Sequence, residues 1–269
     1  MQPVKGKISA KSQIISCIDF AIISFTELTP ELGETVIMLD SFGISKGIIL
    51  SSPYSDNIQI EKIIKDTSLK SFVIIERNLA KIFELLQKID TIRVTDTSPV
   101  VLIDQAFSVK GVGEVILGFV KKGTLKKYDK LSLMPTNKEV IVRSIQMQDI
   151  NFDEAEEGSR VGLAIKGASA EEMKRGFLIC DPKDCKVSTD LILSFEKNKF
   201  YPGELQEGVF HVTSGMQTVP ARIADIKENT IKSKLEKQIV YTKDDTFLLL
   251  DLNSKKLHVI GKGRVVKTP

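Results

Sequence analysis

The sequence contains no tryptophan, and its 269 residues include only two histidines, His211 and His258, and three cysteines. Two histidines are too few for a multi-histidine metal centre and leave little room for Ser-His-Asp or Cys-His catalysis. Neither has a Ser or Cys beside it in a nucleophile-elbow setting, and His211 lies between Phe210 and Val212, as a packed strand residue would. Three cysteines without an apolar leader fit a reducing, cytoplasmic setting better than a disulfide framework. Cys180 and Cys185 form a C-x4-C with Asp and Lys between them, a poor zinc spacing, so both read as free thiols near a domain edge. No uncharged apolar run approaches the roughly 18 residues of a membrane-spanning helix. The expectation is therefore no metal, no cofactor and no membrane.

Charge of one sign is also scarce. Lys and Arg number 38 against 35 Asp and Glu, leaving +3. With 42% hydrophobic and 27% charged residues the profile is that of an ordinary globular protein. A chain of this length buries a core without staples. The excess is local: residues 1–95 carry 11 basic and 11 acidic side chains, 96–184 carry 13 and 14, and 185–269 carry 14 and 10. It gathers at the end, in Lys255, Lys256, Lys262, Arg264 and Lys267. Such a cluster is either a solvated face or a phosphate-contacting one.

Three parts differ in period. In the first, 19–25 (DFAIISF) is a short Ile-rich run of the kind buried on both faces. Thr29 is a good N-cap, Pro30 suits the first helical position, and Leu32, Val36 and Leu39 stack at helical spacing up to Gly43. A strand at 48–50, a helix at 57–66 with Ile60, Ile63 and Ile64 inward, and a strand at 72–75 follow. A helix at 78–88 then carries the stripe Leu79, Ile82, Phe83, Leu86 and Ile89. This β-α-β-α-β-α order predicts a small parallel sheet with crossover helices.

From residue 96 the period changes to short Val/Ile/Leu/Phe strands punctuated by glycine. They fall at 100–107, 114–121, 130–134, 139–146, 160–165 and 177–180, which predicts a closed β-barrel. The last part reads as a second barrel, with strands at 190–196, 208–213, 219–226, 237–241, 246–250 and 256–260. The fold class expected is thus α/β plus all-β: residues 1–95 a small parallel α/β domain, then barrels at 96–184 and 185–269.

An α/β domain invites a nucleotide test, and the sequence fails it. The nearest approach to G-x-x-x-x-G-K-[ST] is GKISAKS at 6–12, where Lys11 stands for the second glycine and Ser12 for the lysine. A D-x-x-G at Asp40–Gly43 falls at a helix end. The N-K-x-D position after the second strand reads SSPYSD, 51–56, and Asn137-Lys138 sits in the barrel. The carboxylate pairs Glu156-Glu157 and Glu171-Glu172 read as surface solvation. An enzyme is not expected.

Residues 104–181 carry an ordered set of motifs. These are F-x-V-x-G-x-G-x-V, then G-F-V-x-x-G-x-L, then Asp129-Lys130-Leu131, Arg143-Ser144-Ile145-Gln146-Met147 and Glu157-Gly158-x-Arg160-Val161-Gly162-Leu163. Together they resemble the second domain of translational GTPases of the elongation factor Tu class. FHVTSG at 210–215, TVPAR at 218–222 and VIGKGRVV at 259–266 are similar to the third domain of selenocysteine-specific elongation factors and of the archaeal initiation factor two gamma subunit. ELTPELGE at 27–34 and Gly43-Ile44-x-Lys46-Gly47-Ile48 resemble the late strands and helices of the matching G domain.

The resemblance implies an archaeal-type paralogue with two elongation-factor barrels and a truncated, degenerate G domain. Its partners would be tRNA or the ribosome, with a protein of the translation machinery as the alternative. GTP binding through atypical motifs is the second alternative. The family places the aminoacylated tRNA end on the second domain and the T-arm along the third. Carried over by position, the adenine-contacting segment is the loop 146–152, facing 157–160. It contains Gln146 where the family is acidic, then Met147, and Gln148-Asp149 where the family is basic. Arg143 and Arg160 would meet phosphate or carboxylate groups, or form barrel-edge salt bridges. Arg222, Lys255, Lys256, Lys262 and Arg264 complete the RNA-facing candidates.

Overall fold

The computed structural model describes residues 7–25, 27–52, 57–89 and 97–267. Strands β1 (Ala21–Phe25), β2 (Gly47–Ser51) and β3 (Val73–Glu76) lie parallel in that order. They alternate with helices α2 (Pro30–Ser41), α3 (Asn57–Ile64) and α4 (Leu79–Gln87), while α1 (Ile8–Ile15), not anticipated from the sequence, precedes them. The predicted start of α2 forms as expected: Thr29 Oγ1 accepts the Leu32 N–H at 3.2 Å, and Pro30 sits in the first turn, where no donor is missed. Gly43, at φ +72°, ends it.

Two expectations fail here. Strand β1 is not buried on both faces; Ala21, Ile23 and Phe25 face the core while Ile22 and Ser24 are exposed, because β1 is an edge strand. Ile63 on α3, and Leu79 and Phe83 on α4, are exposed rather than inward. A three-stranded sheet is too narrow to cover the full apolar stripe of each helix, so Ile60, Ile64 and Ile82 are buried and their neighbours are not.

The second part is a barrel. Its strands are β4 (Val100–Val109), β5 (Gly113–Lys122), β6 (Thr124–Lys126), β7 (Lys130–Met134), β8 (Lys138–Met147), β9 (Ile150–Phe152), β10 (Glu154–Glu156), β11 (Arg160–Lys166) and β12 (Leu178–Cys180). The order β11-β5-β4-β12-β7-β8 closes where β8 pairs back on β11. Strand β9 hangs from β8, and β6 with β10 makes a separate ribbon. The segment 146–152 is therefore not a loop but the end of a β8–β9 hairpin.

The third part closes as β13-β16-β15-β14-β17-β18, with β13 (Lys186–Lys197), β14 (Gly208–Ser214), β15 (Gln217–Lys227), β16 (Thr230–Tyr241), β17 (Phe247–Leu250) and β18 (Val259–Lys267). Strand β18 begins at Val259, not at 256, and β16 begins at Thr230, well before 237. The early half of β16 was missed because its inward row, Ile231, Ser233 and Leu235, has a buried serine at its centre.

The parts share cores. Leu248, Leu250 and Val259 of the second barrel join Ile23, Phe25, Leu39 and Ile49 in one apolar cluster. Between the barrels, Val100, Leu102, Met134, Leu178 and Cys180 meet Cys185, Met216 and Val240, and Lys121 pairs with Asp245. Helix α1 ties to the β14–β15 hairpin: Gln13 Nε2 donates to Thr218 Oγ1 at 3.0 Å and Ser16 Oγ to the Gly215 carbonyl at 2.8 Å. Among the described residues no helix is long and apolar enough to cross a membrane.

Candidate nucleic-acid interface

The β8–β9 hairpin gathers four of the residues singled out from the sequence. Met147 pairs with Ile150, so Gln148 and Asp149 form a two-residue turn, both with positive φ (+52° and +64°), the backbone twist that suits a tight hairpin. Gln146 pairs with Asn151 across the hairpin, and its Nε2 donates to Asn151 Oδ1 at 3.0 Å. Met147 leans partly onto the barrel core. Arg143 is the bulged residue of β8, skipped where β11 pairs with Ser144 and then Val142. A bulge re-aims its side chain, and Arg143 is exposed. Arg160 opens β11, two residues beyond the Gly162–Gln146 pair and toward the hairpin tip. Neither arginine has a carboxylate partner among the described residues, so the salt-bridge alternative is not realised there.

The barrel-two candidates are not brought together. Arg222 lies on β15 between Val209 and Lys234, whereas Lys262 and Arg264 lie on β18. In the closed order these strands are on opposite walls. Arg222 and Arg264 are exposed, and Lys262 pairs with Glu196 Oε2 at 3.5 Å. Lys255 and Lys256 are exposed in the β17–β18 turn. That turn docks on the α/β domain through Leu252 and Leu257. No single basic track can therefore join the two walls of this barrel.

Beside the hairpin lies an open cleft of about 630 Å³, lined by Lys127, Tyr128, Arg143, Ser144, Ile145, Asn151, Phe152 and Asp153. Asn151 and Phe152 belong to the 146–152 segment singled out from the sequence, whereas Lys127 and Tyr128 were missed as site residues. A signal existed: an aromatic set among cations, Lys126-Lys127-Tyr128, is a nucleic-acid composition cue.

The failed nucleotide motifs have structural roles. Residues 8–12 of the GKISAKS stretch are in α1, where Lys11 Nζ donates to Thr35 Oγ1 at 3.2 Å and buried Ser12 donates to the Ser9 carbonyl at 2.9 Å. Asp40 Oδ1 accepts the Ser68 N–H at 2.7 Å. Residues 53–56 of the SSPYSD stretch lie outside the described residues. Among the paired carboxylates, Glu172 takes two hydrogen bonds from Lys138, each 2.8 Å, which pull its carboxyl down to about 2. That is a clamp rather than an acid–base group. The Cys180 and Cys185 sulfurs are 3.2 Å apart and buried between the barrels, and no group of His, Cys, Asp and Glu among the described residues could hold a metal.

The small parallel α/β domain followed by two closed barrels is a fold shared with solved structures of a translation elongation factor. The family description "Elongation factor Tu domain 2" matches residues 113–180. The uncharacterized protein MJ0325 of Methanocaldococcus jannaschii is 36% identical over 252 residues, covering 93% of this chain and 81% of its own. The chain belongs to that protein's family. The selenocysteine-specific elongation factor of the same organism is 31% identical over 236 residues, covering 78% of this chain and 50% of its own, so this chain spans about half of that relative. The crystal structure of translation elongation factor SelB from Methanococcus maripaludis in complex with a GTP analogue superposes with a TM-score of 0.85. It covers 97% of this chain and 68% of its own at 24% identity, a likeness of fold.

Proposed function

We propose that this elongation-factor-like chain is a non-hydrolysing binding module that contacts tRNA or ribosomal RNA through its barrels. The observation that carries the reading is the β8–β9 hairpin, where Arg143 and Arg160 are exposed without carboxylate partners among the described residues. Cations left free at a barrel edge are available to phosphate, and each phosphate contact adds to the salt dependence of binding. The reading without hydrolysis rests on the helical role of residues 8–12, whose lysine and serine are used in packing.

Filter binding of bulk tRNA and of ribosomal RNA tests the first part. The expected result is binding at low salt that weakens steeply as salt rises; no affinity at low salt, or a flat salt slope, sinks it. Calorimetry with GTP tests the second part, and tight binding overturns it. A protein-interaction scaffold is the second reading, favoured by the apolar side chains on α4, where Leu79 is 69% and Phe83 63% exposed. A protein partner that survives nuclease treatment in a pull-down would favour it.

A further inference from the structure

Tyr128 holds a backbone conformation that large side chains avoid. Its φ is +72°, the left-handed region where glycine sits freely and a bulky residue is strained. The hydrogen bonds around it leave no alternative. Its own N–H donates to the Val142 carbonyl at 2.7 Å, Lys127 N–H to the Asp153 carbonyl at 2.8 Å, and Val142 N–H to the Asp129 carbonyl at 3.1 Å. Packing does not compensate for the strain, because Tyr128 is 61% exposed. A strained aromatic ring held out in solvent is a feature that folding alone does not explain.

Its surroundings indicate what the ring meets. Lys127 Nζ lies over the ring, 5.1 Å from its centroid, a cation–π contact that puts positive charge on one of its two faces. Phe152, 40% exposed, lines the same cleft. Arg143, aimed out by its bulge and free of ion pairs among the described residues, is a third lining group. Asn151 uses its oxygen to accept from Gln146, and its amide nitrogen has no partner among the described residues. Two exposed aromatic rings, two cations and an amide donor, against the one carboxylate of Asp153, match the chemistry of an unpaired nucleotide: π faces for the base, cations for the flanking phosphates, an amide for a base edge.

We propose that this cleft, on the β9 flank of β8, is a stacking site for one unpaired base of single-stranded RNA. Tyr128 and Phe152 receive the base, and Lys127 and Arg143 hold the adjoining phosphates. The inference rests on the RNA-binding reading above and specifies where and how the second domain takes RNA. Asn151 and Phe152 come from the 146–152 segment, whereas Lys127, Tyr128 and Arg143 lie outside it.

The test is fluorescence anisotropy of labelled single-stranded oligoadenylate and oligouridylate against the full chain and four variants. Tyr128→Gly suits the backbone, so it should melt no lower than wild type while weakening binding about tenfold or more. Tyr128→Phe keeps the stacking face and should bind within about twofold of wild type. Arg143→Ala should reduce the salt slope by about one contact. Lys237→Ala, an exposed lysine of the other barrel outside the RNA-facing candidates, should leave oligonucleotide affinity in place. If wild type binds the oligonucleotides and Tyr128→Gly binds equally well, the stacking site is wrong and the RNA reading survives. If wild type binds no RNA at low salt, the RNA reading fails and the site with it; a proline-rich or arginine-rich peptide bound in a Tyr128-dependent way would then make the cleft a protein site.

Discussion

Glu34 on α2 and His258 before β18 join the α/β domain to the second barrel across 224 positions of sequence. The His258 main-chain N–H donates to Glu34 Oε1 at 2.7 Å, and the ring Nδ1 lies 3.0 Å from the same oxygen. Glu34 is buried, so its carboxylate has exchanged water for this one residue.

Glu34→Ala should therefore lower stability by about 1.5–3 kcal/mol, the range for a hydrogen bond to a charged group left unmade. His258→Ala keeps the main-chain N–H and should cost less. Thermal melts of both variants check the order; equal losses would place the interaction in the ring alone.

Glu172 sets an acid limit. Hydrogen bonds from Lys138 hold its carboxyl at about 2 against an ordinary 4.5. A depressed carboxyl contributes stability above its unfolded value and loses it as pH falls through the folded one. The difference between wild type and Glu172→Gln should be full near neutral pH and should vanish between about 4.5 and about 2. Stability curves that stay parallel through that window would show that the charge pair contributes nothing.

The buried thiols should react in order. Cys180 donates its S–H to Cys185, which pushes Cys180 up and Cys185 down. The thiolate is the nucleophile, so Cys185 should be alkylated before Cys180 under native conditions. Burial pushes Cys17 up as well, so it gains nothing over an ordinary thiol. Time-resolved mass mapping of the labelled peptides checks this, and labelling of Cys180 first would reverse the donor assignment.

Two barrel glycines should differ sharply. A Cβ on Gly118 would stand 2.3 Å from the Leu102 carbonyl oxygen, whereas on Gly162 its nearest neighbour is 3.6 Å away. Gly118→Ala should cost about 1–3 kcal/mol or more through backbone displacement, and Gly162→Ala should be nearly neutral. Equal melting points for the two would mean that β4 and β5 can part without penalty.

Much of the framework was legible in residue order because the forces behind it are local. The cap Thr29, the stop at Gly43, the two-fold alternation of the barrel strands and the glycine turns each act within a few residues. They determined the order of an α/β domain and two barrels, and the motif series at 104–181 pointed to the elongation factor Tu second domain that matches residues 113–180. Tertiary structure alone decided the rest. Closure of the second barrel set Arg222 and Arg264 on opposite walls, which no charge count along the chain contains. The width of the sheet, not the helical stripe, determined which face of α4 stays exposed. The bulge that aims Arg143 and the left-handed Tyr128 arise from hydrogen bonds between β8 and distant segments, so the cleft exists only once those registers are closed.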